Sequence, residues 1–174
     1  MMIDNEYKLK PNTLAVIALT NEYCEMIENC ATYERDSFIA KLLKIIPRIY
    51  IAMNDIELDS GYSDYFIEPS LEETVYDQVR TLLSRLFGEE DVYLEVFMED
   101  MKYSETPISA AISENLADMY QEFYNLLHSL KDATSVVQQQ LVEQCKENFI
   151  NYWGQTLCNV LRGLNNAFYN SSTE

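Results

Sequence analysis

The chain has 174 residues, with 29 acidic against 12 basic side chains and a formal net charge of −17. That length fits one domain burying roughly 70% of the surface its unfolded form exposes, with no need of a metal or disulfide staple. The charge argues against a protein that gathers Lys and Arg to displace counterions from DNA, RNA or anionic lipid. Only four glycines and four prolines argue against a turn-rich β fold.

Residues 1–10 read as a loose polar lead, and residues 1–174 as a single helical domain. The first helix is predicted over residues 12–29, with Val16, Leu19, Tyr23, Met26 or Ile27, and Cys30 on its inner stripe. The apolar run at 14–19 is too short to span a membrane. Thr20, Asn21 and Glu22 follow it directly, where a signal peptide would need a cleavage region. Asp36 or Ser37 can cap a second helix. Two apolar stripes, one through Phe38, Leu42, Ile45 and Ile49 and one through Ile39, Leu43, Ile46 and Tyr50, leave only Lys41, Lys44 and Arg48 polar. Such a wide apolar surface marks the most buried helix. Pro47 removes a backbone donor and should kink it at mid-length.

Residues 54–69 form a long acidic loop. The third helix starts at Ser70, with a capping box closed by Glu73. Leu71, Val75, Val79, Leu82 and Leu86 face inward until Gly88 stops it. Residues 91–98 are irregular. The fourth helix, over residues 106–130, has the strongest pattern. Ile108, Ile112, Leu116, Met119, Phe123, Leu126, Leu127 and Leu130 recur at steps of three and four, with Glu114, Asp118, Glu122 and Asn125 opposite. Thr106 caps it and Pro107 takes its first position. Ser135 and Gln138 offer a second capping box. The last helix carries Val137, Leu141, Cys145, Phe149, Tyr152, Val160, Leu164 and Phe168 on one side. Unbroken it would be about 50 Å long, so it overhangs the bundle or bends near Trp153 and Gly154. The fold class is all-α: one irregular bundle of about five main helices, with a Pro-kinked second helix and a long C-terminal one.

The stretch from Ile112 to Glu122, preceded by Tyr93 to Phe97 and followed by Trp153-Gly154 and Leu161-Arg162, resembles an uncharacterised bacterial family. That family is known only as domain of unknown function 5063. The resemblance covers nearly the whole chain and implies an all-helical fold with no established activity. Members of the family often place histidines on both sides of the Trp-Gly pair, where this chain holds Tyr152 and Thr156. Two histidines at i and i+4 would grip a metal from one helix face; Tyr and Thr do not do so comparably. Asp118, Tyr120, Trp153, Gly154 and Arg162 match the pattern, with structural roles expected first. Gly154 admits a close backbone, Trp153 fills the core and Arg162 pairs with a carboxylate.

Catalytic chemistry leaves little trace. His128 is the single histidine, near the end of the fourth helix. No nucleophile, base and orienting acid come together, and no glycine-rich phosphate loop is present. Cys24, Cys30, Cys145 and Cys158 show neither zinc nor disulfide spacing and read as small apolar residues of a reducing cytoplasm. Carboxylates one turn apart are weak magnesium candidates: Glu22 with Glu25, and Glu114 with Asp118. The thirteen tyrosines are more suggestive, because Tyr62, Tyr65 and Phe66 fall in the first acidic loop and Tyr93 and Phe97 in a second. The expected function is a non-enzymatic interaction or adaptor protein that docks a basic partner, with no cofactor, nucleic acid or membrane. Two alternatives stand beside it: a magnesium-dependent phosphohydrolase, and an anionic-metabolite pocket around Trp153, Arg162 and Tyr120.

Overall fold

The computed structural model describes residues 7–59, 65–95, 102–103 and 106–170. Helix α4 (Ile112–Leu130) carries the strongest periodic pattern, and the rest of the bundle is arranged around it. It packs against α1 (Pro11–Glu28), α3 (Glu73–Phe87), α5 (Ser135–Asn148) and α6 (Gly154–Tyr169). Helix α2 (Arg35–Asn54) closes the other side against α1 and α6. Its wide apolar surface is not fully used: Tyr50 and Ile51 remain exposed, so α4 rather than α2 is the central helix. Helix α2 continues across Pro47.

The fold is an all-α bundle of five main helices, the fifth running over residues 135–169 through a π-helical turn at Phe149–Trp153. This turn decides which aromatic side chain enters the core. A regular helix would bring Tyr152 inward after Phe149, as the sequence reading had it. One extra residue per turn instead swings Trp153 to full burial and leaves Tyr152 54% exposed. Trp153 then completes an aromatic path from α1 to α2. Tyr23 meets Phe123 edge-on at 5.1 Å, Phe123 meets Trp153 at 5.0 Å, Trp153 meets Phe149 at 4.8 Å, and Phe149 meets Tyr50 at 5.3 Å. Each such pair contributes about 0.5–1.5 kcal/mol beyond its buried area.

Helices α4 and α3 do not start at their local capping signals. Helix α4 begins at Ile112, not near Thr106, because Ser109–Ala111 forms a strand, β2, antiparallel to β1 (Val92–Leu94). Val92 pairs with Ala111 and Leu94 with Ser109. The segment expected to be irregular is therefore extended over these residues. A first-turn amide of α4 is capped from a distance, since the Ser113 N–H and hydroxyl both donate to the buried Asp91 carboxylate at 2.7 Å. Helix α3 starts at Glu73 with no side-chain cap. Ahead of it, the Ser70 and Leu71 N–H groups donate to Asn125 Oδ1 of α4, each at 2.9 Å, which ties the incoming chain to α4. The α3 core face runs through Val79, Leu83 and Phe87, one position round from the expected Leu82 and Leu86. Gly88, at φ +59°, ends the helix as expected.

At the start of α2 neither Asp36 nor Ser37 caps, because the helix already begins at Arg35. Gln138 does not close a capping box; its amide reaches back to the Leu130 carbonyl at the end of α4.

Candidate functional site

Glu114, Asp118 and Glu122 stand one turn apart on α4 and were expected to face solvent. Helix α3 and the α5–α6 helix flank that face, so Asp118 and Glu122 are half-buried while Glu114 stays exposed. The Tyr76 hydroxyl donates to Asp118 Oδ1 at 2.7 Å, and the Asn148 amide donates to Glu122 Oε2 at 3.4 Å. Burial pushes both carboxyl pKa values up, and the neighbouring acid adds to the rise: Glu114 acts on Asp118, and Asp118 on Glu122. The Tyr76 and Asn148 hydrogen bonds oppose it. Tyr152, turned outward by the π turn, lies in the field of the same three acids. Burial and then Asp118, Glu122 and Glu114 raise its phenol.

Perturbed titrating groups gathered on one face are a functional-site signature, although structural clusters produce them too. Among the described residues the ion pairs are Lys10 with Asp59, Arg35 with Asp36 and Glu90, and Arg80 with Asp77. None of them reaches the α4 row.

These shifts give a stability prediction whose sign is fixed. Glu122 holds its proton more firmly folded than unfolded, so its contribution to stability falls as pH rises upward from its ordinary value of 4.5. Glu122→Gln should therefore melt higher than the parent at pH 7. The gap should close below about pH 4, where the unfolded-state carboxyl is also protonated. Thermal melts across this range test it, and a gap that persists at pH 3 would show that the carboxylate charge is not its cause.

The other candidate residues fall in different places. Among the described residues no group of three His, Cys, Asp or Glu side chains is arranged to hold a metal. Eight residues separate Glu114 from Glu122, about 12 Å along the axis, too far for one ion. Glu22 and Glu25 line a cleft opposite Lys41, Lys44 and Arg48. Tyr120 is buried and donates to Glu28 Oε1 of α1 at 3.0 Å, while Trp153, the last residue of the π turn, is fully buried. Arg162 is exposed and donates to the Leu94 carbonyl on β1, not to a carboxylate as expected. These three residues therefore do not share one pocket. Arg162 instead lines a shallow groove of about 470 Å³ with Tyr50, Phe149, Ile150 and Cys158.

Of the tyrosine-bearing loops, Tyr62 and Phe97 lie outside the described residues. Tyr65 and Phe66 are exposed. In the second loop, Tyr93 and Glu95 turn inward. Tyr93 is buried against Gly163, its hydroxyl donates to Asn115 Oδ1 at 2.6 Å, and Glu95 accepts from the Asn159 amide at 2.6 Å. An acid that reads as surface charge is thus 9% exposed and holds β1 onto α6. All four cysteines are free; Cys24, Cys30 and Cys145 are buried, and Cys158 is exposed. Sequence reasoning missed Tyr76 and Tyr152 as members of the acidic site. Tyr76 sits at an α3 position that pattern alone leaves unassigned, and only the π turn places Tyr152.

The class defined by these features is an all-helical bundle with a half-buried acidic, tyrosine-edged face and no metal-binding cluster among the described residues. The chain belongs to the family described as a domain of unknown function, DUF5063, whose model matches residues 7–170. It is similar to protein BF1032 from Bacteroides fragilis, known from a crystal structure. The two share 26% identity with a TM-score of 0.81, over 95% of this chain and 97% of that one. No curated protein matches the sequence. Among the described residues no helix is long and apolar enough to cross a membrane.

Proposed function

We propose that this protein acts by binding, as a non-catalytic interaction module whose α4 face receives a basic segment of a partner protein. The observation that carries this reading is the row Glu114, Asp118 and Glu122, with Asp118 and Glu122 half-desolvated and the row bordered by Tyr76 and Tyr152. Partial burial strengthens attraction to an incoming cation relative to open water. Tyrosines beside the acids supply apolar area with a polar tip, as recognition surfaces do. The net charge of −17 adds long-range steering of a basic partner. Four free cysteines suit the reducing cytoplasm as the place where that partner is met.

The test is binding of a lysine- and arginine-rich peptide by the parent and by the double variant Asp118→Asn, Glu122→Gln. Loss of two partly desolvated charges should weaken binding by about tenfold or more at low salt. Reversing Asp59, already paired with Lys10, should change it little. Equal affinity of parent and double variant would remove the α4 face from the reading. Capture of a near-stoichiometric partner from the native cell, lost as salt rises, would identify the physiological ligand.

A second reading has one observation behind it. The Arg162 groove pairs an apolar floor of Tyr50, Phe149 and Ile150 with an exposed guanidinium, an arrangement that suits a small anionic ligand.

A further inference from the structure

We infer that the cleft between α1 and α2 binds a short acidic peptide that carries a free amino end. The cleft encloses about 460 Å³, and its two walls have opposite charge. Helix α2 contributes Lys41, Lys44 and Arg48, a quarter of the twelve basic residues of the chain. Helix α1 contributes Glu22 and Glu25, and Asn29 and Tyr33 also line the space. Among the described residues no ion pair joins the two walls, since every ion pair found there lies elsewhere. Two oppositely charged walls that stay apart leave both sets of charge available to something placed between them.

The partial engagements inside the cleft do not exhaust these groups. Lys41 Nζ stands 5.5 Å from the Tyr33 ring centroid, which orients the ammonium without neutralising it. Glu25 Oε1 accepts from the Asn21 amide at 2.9 Å, a neutral donor that leaves the charge in place. The floor includes the buried Met26 and Ile45, so a ligand resting there gives up water on one side. In a chain of net charge −17, a local excess of one positive charge over five charged side chains is unlike the rest of the surface.

Length and polarity select the ligand class. The row from Lys41 to Arg48 spans seven residues of helix, about 10 Å, which an extended peptide covers with three residues at about 3.4 Å each. A compact phosphate would engage one part of that row and offer nothing to Glu22 and Glu25. An acidic tripeptide offers carboxylates to α2 and its α-ammonium to α1, each as a charge-assisted hydrogen bond. This site is separate from the α4 face, so either assignment can fail while the other stands.

The probe is triglutamate with a free amino end, titrated calorimetrically into the full chain at low salt. The result expected is saturable binding, weakened about fivefold by Nα-acetylation of the peptide. Lys44→Gln with Arg48→Gln should weaken it about twentyfold, and Glu25→Gln should shrink the acetylation effect. Perturbation of the Asn29 side-chain amide in NMR spectra should report the same affinity and places the peptide in the cleft. No binding at millimolar peptide, equal binding of the acetylated form, tripolyphosphate binding more tightly than the peptide, or no loss in the double variant would each overturn the assignment. The substituted side chains are exposed, and circular dichroism melts of the variants check that the fold is retained.

Discussion

Gly154→Ala should lower the melting temperature by about 6–12 °C. This corresponds to about 3 kcal/mol, at the upper end of the usual cost of overpacking, at roughly 2–4 °C per kcal/mol for a domain of this size. Two effects compete. Alanine is favoured over glycine within a helix by about 1 kcal/mol. Against that, a Cβ at Gly154 would stand 2.6 Å from the Phe149 carbonyl oxygen and 3.0 Å from its ring. Neither can retreat easily. The carbonyl accepts the Gly154 N–H that closes the π turn, and the ring is wedged between Tyr50 and Trp153 with the Lys146 ammonium 5.2 Å from its centre. The clash should therefore win. Thermal unfolding followed by tryptophan fluorescence reads both stability and the surroundings of Trp153. An unchanged melting temperature would mean that the turn relaxes to a regular helix at little cost.

Asp91→Ala should cost a similar amount, about 3 kcal/mol. Asp91 is buried and receives both the N–H and the hydroxyl of Ser113. Hydrogen bonds to a charged group contribute about 1.5–3 kcal/mol each, and removal of the acceptor strands a buried amide. Asp91→Asn keeps an acceptor for the N–H and should lose about half as much. Ser113→Ala removes the hydroxyl alone and should lose less than Asp91→Ala. Urea denaturation with a shared slope distinguishes the three variants. If Asp91→Ala stays within 0.5 kcal/mol of the parent, α4 does not depend on this remote cap.

The five helices were legible because each buries one side, and a stripe at three- and four-residue steps records that in the chain. Their beginnings were less legible. Thr106 with Pro107, and Ser70 with Glu73, satisfy the local rules for a helix start, yet neither is used. Asp91 supplies an acceptor to α4 from 22 residues away, Asn125 takes the Ser70 and Leu71 amides ahead of α3 from 55 and 54 residues away, and pairing with β1 takes residues 109–111 out of helical conformation. Capping rules examine four neighbouring residues and do not register an acceptor brought in by the fold.

The candidate site was legible in part. Asp118 was singled out, but its face was assigned to solvent because α3 and the α5–α6 helix have no signature within the α4 sequence. Glu95 shows the same effect. Its charge reads as surface, and only the approach of Asn159 on α6 explains its burial. The Trp-Gly pair was singled out as the place where the last helix bends if it does not overhang the bundle; the device found there is a wider turn.

That wider turn also sets the phase of everything after it. One residue in an α-helix corresponds to about 100° of rotation and 1.5 Å of advance. The surplus residue within Phe149–Trp153 therefore acts as an indexing pin between the two halves of the fifth helix. Leu157, Val160 and Leu164 meet the core in the angular position that this insertion dictates. Relaxing 149–153 to a regular helix with no residue removed would turn these three side chains about 100° away from the core together. Deleting one residue of the turn would instead straighten the helix and keep their phase. A one-residue deletion should thus keep the downstream core face when it falls within this turn, and rotate that face by about 100° when it falls in the regular helix on either side.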